Sequence, residues 1–176
     1  MERVKIILKS GKDQSVRRYH PWIFSGAIKK IYGNPVEGDV VDVYDNKDEF
    51  LAVGHYQAGS IAVRILSFAE VNPDIDFFWV KIKNALKYRE SMGLTSDPKT
   101  NVFRLVNSEG DSLPGLIVDY YDGVAVMQMH SVGMSRMRKE LTEILKQLLG
   151  EKLTAVYDKS EGTIPYMSDI SVVNEF

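Results

Sequence analysis

Cysteine is absent from all 176 residues, and that one absence removes a disulfide framework, a thiolate metal site and a cysteine nucleophile together. Long apolar runs are missing too. The longest early one, Ile6 to Leu8, lies between Lys5 and Lys9. It is too short for the core of a secretory leader and far from the roughly 20 residues of a membrane span. Histidine is scarce: His20, His55 and His130 stand far apart, none in an HxH or HExxH pattern, so a metal site is not expected. Neither GxGxxG nor a Walker A sequence occurs, which leaves no phosphate-cradling loop for a nucleotide. Internal repeats and low-complexity segments are also lacking.

What is there has the composition of an ordinary globular protein, with 44% apolar and 26% charged residues. The chain is long enough for one generous domain or two small ones. The net charge of −2 hides an uneven distribution. Residues 1 to 32 hold eight cations (Arg3, Lys5, Lys9, Lys12, Arg17, Arg18, Lys29, Lys30) against Glu2 and Asp13, a surplus of +6, whereas residues 33 to 68 and residues 69 to 176 come to −4 each. A basic segment on a near-neutral chain is either a local face for a polyanion or a solvated basic surface.

From Val4 to Phe68 the sequence reads as short strands separated by turns: VKIILK, HPWIFSGAI, DVVDVYD, a turn at Asp45 to Asp48, EFLAVGHYQ and IAVRILSF. β-Branched and aromatic residues concentrate in these runs at intervals typical of a small barrel. The period then changes. In NPDIDFFWVKIKNALKYRESMG, apolar residues at Ile75, Phe78, Trp79, Ile82 and Leu86 predict an amphipathic helix over about 73–92, with Asn72 as N-cap, Pro73 at the first helical position and Gly93 as the stop. This places a domain boundary near residue 70, dividing 1–69 from 70–176.

The second block reads as strands VFRLVN and GLIVDYYD followed by VAVMQMHS, with Asp122-Gly123 as a tight hairpin turn. Met134, Met137, Leu141, Ile144, Leu145 and Leu148 predict one helix ending at Gly150, and LTAVYD resumes the sheet. The fold class is therefore α+β and mostly β: a small barrel followed by a small α/β domain of β-β-α-β type with a leading helix.

Two apparent catalytic signals are weak. GDSL, Gly110 to Leu113, matches a serine-hydrolase signature, but no Asp-x-x-His follows to supply a base, and Leu113-Pro114-Gly115 reads as a turn before a strand. Glu109, Asp111, Asp119 and Asp122 have no histidine beside them and read as solvated acids. The stronger signal is RRYHPWIFSGAI, Arg17 to Ile28. Arg17, Arg18 and His20 suit phosphates, and Pro21 biases His20 toward an extended backbone. Trp22 and Phe24 alternate with Ile23, and rings at that spacing predict the barrel core, so the arginines are the RNA candidates and the rings their scaffold.

KSGKDQSVRRYHPWIFSGAI, Lys9 to Ile28, resembles the opening of the ribosomal large-subunit RNA methyltransferase I family. That family methylates cytosine C5 in large-subunit (23S) ribosomal RNA and begins with a PUA domain, a small RNA-binding β-barrel. The similarity continues through EGDVVDVYD, FLAVGHY and VRILSF and into FRLVNSEGDSLPGLIVDYYDG, which resembles a stretch of the family's small central α/β domain. Ser112 stands where the family commonly has Gly, and Tyr120 where Arg is common.

The resemblance implies that ribosomal RNA is held by Lys9, Lys12, Arg17, Arg18, His20, Lys29, Lys30 and Arg64, and that the protein works in the cytoplasm. In the family a further Rossmann-like domain binds S-adenosylmethionine and carries the catalytic cysteine. The expectation is that this chain stops at Phe176 before that domain. Attack at cytosine C5 needs a thiolate to add first at C6, so a chain without cysteine is expected to have no turnover and no cofactor of its own, S-adenosylmethionine belonging to a full-length parent. A stand-alone PUA-type RNA-binding protein and a non-RNA interaction module remain as alternatives.

Overall fold

The architecture comes from a computed structural model that describes residues 3–164 and 173–176; Glu2 of the charge count lies outside them. The chain divides into two compact units, Met1–Pro73 and Asp74–Phe176.

The first unit contains β1 (Val4–Leu8), α1 (Gln14–Arg17), β2 (Trp22–Phe24), β3 (Ile28–Tyr32), β4 (Val40–Tyr44), β5 (Phe50–Tyr56) and β6 (Ile61–Ser67). They form one six-stranded sheet in the order β2-β6-β5-β4-β1-β3. The two edge strands are neighbours in sequence, joined only by the 3₁₀ turn Ser25–Ala27. A flat sheet would separate its edges by about 24 Å, five spacings of about 4.8 Å. Four Cα steps span at most about 15 Å. The sheet therefore has to curl, and it forms a half-barrel. Alternation along its strands fills the inside with Ile6, Leu8, Ile23, Val41, Val43, Val63 and Ile65, all buried, with Val16 of α1 packed among them. Each such side chain contributes about 1.5–3 kcal/mol by leaving water.

Gly54 marks a tight point in this wall. A Cβ there would lie 2.3 Å from the carbonyl oxygen of Arg64, where the β5–β6 register shifts between Val53 and Gly54. Only a residue without a side chain allows the two strands to approach so closely.

The second unit contains α2 (Ile75–Ser91), β7 (Val102–Asn107), β8 (Leu116–Tyr121), β9 (Val124–Met129), α3 (Val132–Arg136), α4 (Arg138–Leu149) and β10 (Ala155–Asp158). Its sheet runs β10-β9-β8-β7. The first three strands in sequence pair antiparallel, and β10 returns through the helices to pair parallel with β9. Three strands thus precede the helical crossover. The β8–β9 turn uses Asp122 at φ 42° and Gly123 at φ 94°, the left-handed pair that a two-residue hairpin demands.

Two helical expectations change. α2 is capped by Asp74 instead of Asn72: the Asp74 side chain accepts the Phe77 N–H at 3.1 Å, placing a carboxylate at the positive end of the helix dipole. The Met134-to-Leu148 face is not one helix. At Met137 the N–H bonds back to Met134 O, three residues away, and Leu141 N–H bonds to Met137 O. That tightened turn ends α3 and starts α4. Phe78 and Ile82 of α2 and Leu141, Ile144 and Leu145 of α4 are fully or almost fully buried.

Candidate nucleic-acid interface

The segment that leads into β2 is built by a helix end. α1 was not visible in the sequence, yet it closes with both bonds of a Schellman motif: His20 N–H to Ser15 O at 3.0 Å and Tyr19 N–H to Val16 O at 2.9 Å. Tyr19 takes the left-handed position at φ 63°, where glycine would normally signal the motif. The chain is thereby turned from α1 into β2. Pro21 O accepts the Ile65 N–H at 2.8 Å and joins that entry to β6.

The register of β2 reverses the expectation for its rings. Ile23 lies opposite Val63, and Trp22 opposite Arg64. Since Val63 belongs to the buried core, Ile23 must share the inner face and Trp22 the outer one. Ile23 is 2% exposed, whereas Phe24 is 48% exposed. Trp22 is half-buried and His20 exposed. The rings are not core scaffold; they form an outward cluster. The His20 centroid lies 5.9 Å from that of Trp22 and 6.1 Å from that of Phe24, and Trp22 and Phe24 are 6.5 Å apart and almost perpendicular at 88°. The Trp22 N–H donates to His20 Nδ1 at 3.2 Å, which fixes the imidazole against the strand edge.

The expected cations divide into two groups. Arg17 is held by carboxylates: its guanidinium donates to Asp13 at 2.7 Å, Asp45 at 2.7 Å and Glu49 at 3.0 Å. The Asp13 and Glu49 hydrogen bonds push its pKa up. Asp45 is itself a turn-former, accepting the N–H groups of Lys47 at 2.8 Å and Glu49 at 3.0 Å. Those backbone bonds, the Glu49 one foremost, together with Arg17 hold its carboxyl below the ordinary 3.8. Arg64 is also engaged, donating to Gln57 Oε1 at 2.9 Å.

The second group is open. Lys12, Arg18 and Lys29 are exposed, and among the described residues none of them forms an ion pair. Lys9 is exposed with its ammonium on Gly26 O at 2.9 Å. Lys30 lies 4.2 Å over the Tyr32 ring. Lys29 and Lys30 both reach solvent because the β1–β3 register shifts between Ile7 and Leu8, whose partners are Lys30 and Ile28. Lys29 is the extra residue of a bulge.

Two of the four acids expected to be solvated, Asp111 and Asp119, are paired with arginines. Asp111 accepts from both terminal nitrogens of the Arg89 guanidinium, Nη1 at 2.5 Å and Nη2 at 2.7 Å, with both side chains nearly buried. Asp119 pairs with Arg104 at 2.8 Å. Ser112 is exposed at the left-handed end of the 3₁₀ turn Ser108–Asp111. No group of three or more metal-ligating side chains occurs among the described residues.

Residues 6–68 match the model of a PUA-like domain family. Over most of its length, that domain included, the chain is 37% identical over 160 residues to a ribosomal RNA large subunit methyltransferase I of Alteromonas mediterranea, covering 89% of this chain and 39% of that protein. It is 37% identical to the corresponding protein of Aeromonas salmonicida, covering 90% and 39%, and 34% identical to that of Escherichia coli, covering 90% and 39%. Among solved structures, a provisionally assigned SAM-dependent methyltransferase of Streptococcus mutans superimposes with a TM-score of 0.76 at 21% identity, over 89% of this chain and 40% of that one. The chain thus spans about two-fifths of the length of the curated relatives it matches. Over that span the chain is similar to ribosomal RNA large subunit methyltransferase I proteins, and its residues 6–68 match a PUA-like domain.

Proposed function

We propose that this chain is the RNA-recognition portion of an S-adenosylmethionine-dependent methyltransferase acting on cytosine C5 of large-subunit ribosomal RNA, a cytoplasmic substrate. The observation that carries the reading is the set of exposed, unneutralised cations on the six-stranded unit. Among the described residues Lys12, Arg18 and Lys29 have no carboxylate to hold them, and Lys9 and Lys30 are exposed beside them in sequence. In a chain with net charge −2, leaving these cations open favours a polyanion, and each phosphate they neutralise releases condensed counterions. Arg17 has a different part. Two of its three carboxylates, Asp45 and Glu49, tie α1 to the β4–β5 turn, so it positions Arg18 and His20 instead of meeting phosphate.

Methyl transfer itself is assigned to residues outside this chain. With no cysteine the covalent route to cytosine C5 is closed to it, and its residues bind and orient RNA. Binding of the chain to large-subunit ribosomal RNA fragments across a salt series tests the reading. Affinity that falls steeply with salt, and falls further in Arg18→Ala/Lys29→Ala, supports it. Undetectable binding at low salt overturns it in favour of a non-RNA interaction module.

A further inference from the structure

We propose that His20, Trp22 and Phe24 form a stacking corner for an unpaired nucleobase, so that this face selects single-stranded over duplex RNA. The inference rests on the RNA-recognition reading above and names the form of RNA it takes. Large rings on a soluble protein are ordinarily buried, yet Phe24 exposes 48% of its surface, and His20 is exposed next to it. The strand had an apolar alternative for its inner face and uses it, in Ile23. The rings are therefore not surplus core residues displaced outward.

Their mutual geometry suits a base. Trp22 is nearly perpendicular to Phe24 at 88° and to His20 at 80°. A base lying parallel on Phe24 meets one ring face to face and the other edge to face, the two arrangements that aromatic pairs favour. His20 Nδ1 is occupied by the Trp22 N–H, and among the described residues its Nε2 makes no hydrogen bond, so it remains for a base edge. Cations flank the corner along the chain. Arg18 precedes His20 by two residues, and the Lys9 ammonium rests on Gly26 O, two residues beyond Phe24. A single strand can place a base on the rings and its neighbouring phosphates on those cations. Duplex RNA keeps its base faces stacked inside and offers only phosphates and groove edges.

The test uses the whole chain with a short unstructured RNA and the same sequence as a blunt duplex, each across a salt series. Affinity is read together with Trp22 emission in a Trp79→Phe background, Trp79 being the other of the two tryptophans. Phe24→Ala and His20→Ala are expected to weaken single-strand binding about tenfold, to leave duplex binding and the salt slope unchanged, and to be rescued at position 24 by Phe24→Tyr. Trp22 emission is expected to change on saturation with the single strand and not with the duplex. Unchanged thermal midpoints for Phe24→Ala and His20→Ala show that any loss is local. Equal losses on both RNAs, or no loss on either, overturn the stacking corner while leaving the RNA reading intact. Absence of wild-type binding to both RNAs at low salt overturns the reading itself and the corner with it.

Discussion

In the four-stranded unit, arginines are seated on carboxylates: Arg89 on Asp111, Arg104 on Asp119, and Arg138 on Asp158 at 3.0 Å. Several of its rings pack on one another, as Phe103 and Tyr120 do at 5.2 Å, or vanish from the surface, as Phe78 does, while Tyr88 and Tyr121 stay exposed. The six-stranded unit is built otherwise. It neutralises Arg3 with Asp42 at 3.2 Å and Arg17 with three acids, but among the described residues it gives Arg18, Lys12 and Lys29 no such partners, and it turns Phe24 outward. The difference teaches that cation content alone says little about a binding face. A guanidinium held by buried carboxylates is part of the framework, because releasing it would strand a charge in a poor solvent. One that meets only water can exchange that water for a phosphate.

The sharpest way to break the contrast is to remove a framework cation. Arg89→Ala leaves Asp111 nearly buried, still accepting the Asn107 N–H at 2.6 Å but without its cation. The expected loss is about 3–5 kcal/mol, measured as a lowered urea midpoint in the emission of Trp79, which shares α2 with Arg89. Next in size is Gly54→Ala. The new methyl group would meet the Arg64 carbonyl at 2.3 Å, a backbone atom that cannot rotate away. A loss of about 1–3 kcal/mol is expected in the unfolding reported by Trp22, whose strand pairs with β6.

The Asp45 turn gives a pH test. Its carboxyl is held below the ordinary 3.8, so the ionised form is favoured by folding. That stability is present above the unfolded value of about 3.9 and is lost as pH falls through the lower folded value. The thermal midpoint of the wild type should therefore drop in acid below about pH 4, and Asp45→Asn should flatten part of that drop while lowering the midpoint at neutral pH. The smallest effect sharpens the comparison within one helix end. Arg18→Ala should leave stability unchanged and make the salt dependence of single-strand binding shallower by about 0.7 for each phosphate that is no longer neutralised. Arg17→Ala should do the reverse, lowering the thermal midpoint with little change in slope.

Much of the fold was legible because the signals were local. The strands β1, β2, β4, β5 and β6, the α2 period and the Asp122-Gly123 turn all follow from alternation, 3.6-residue spacing and turn chemistry within short windows. The misplaced features share a different cause. Asn72 and Asp74 are both good caps, and which one meets the helix depends on where the backbone turns from extended to helical. α1 ends on Tyr19 where glycine would have signalled a left-handed residue. Met137 continues the apolar spacing of its neighbours, so the break between α3 and α4 leaves no mark on the pattern.

Amino-acid order by itself determined the two folding periods, the basic surplus of +6 in residues 1 to 32 and the exclusion of cysteine chemistry, since each is a property of composition or of neighbours along the chain. It also presented Trp22, Ile23 and Phe24 as a strand. Alternation has two parities, and nothing local chooses between them. The choice came from β6, which sets Val63 opposite Ile23 and buries that pair inside the curled sheet. The fate of the two neighbouring arginines was decided in the same way. Asp45 and Glu49, which capture Arg17 and spare Arg18, lie 28 and 32 residues from it in sequence and meet it only when the sheet has formed.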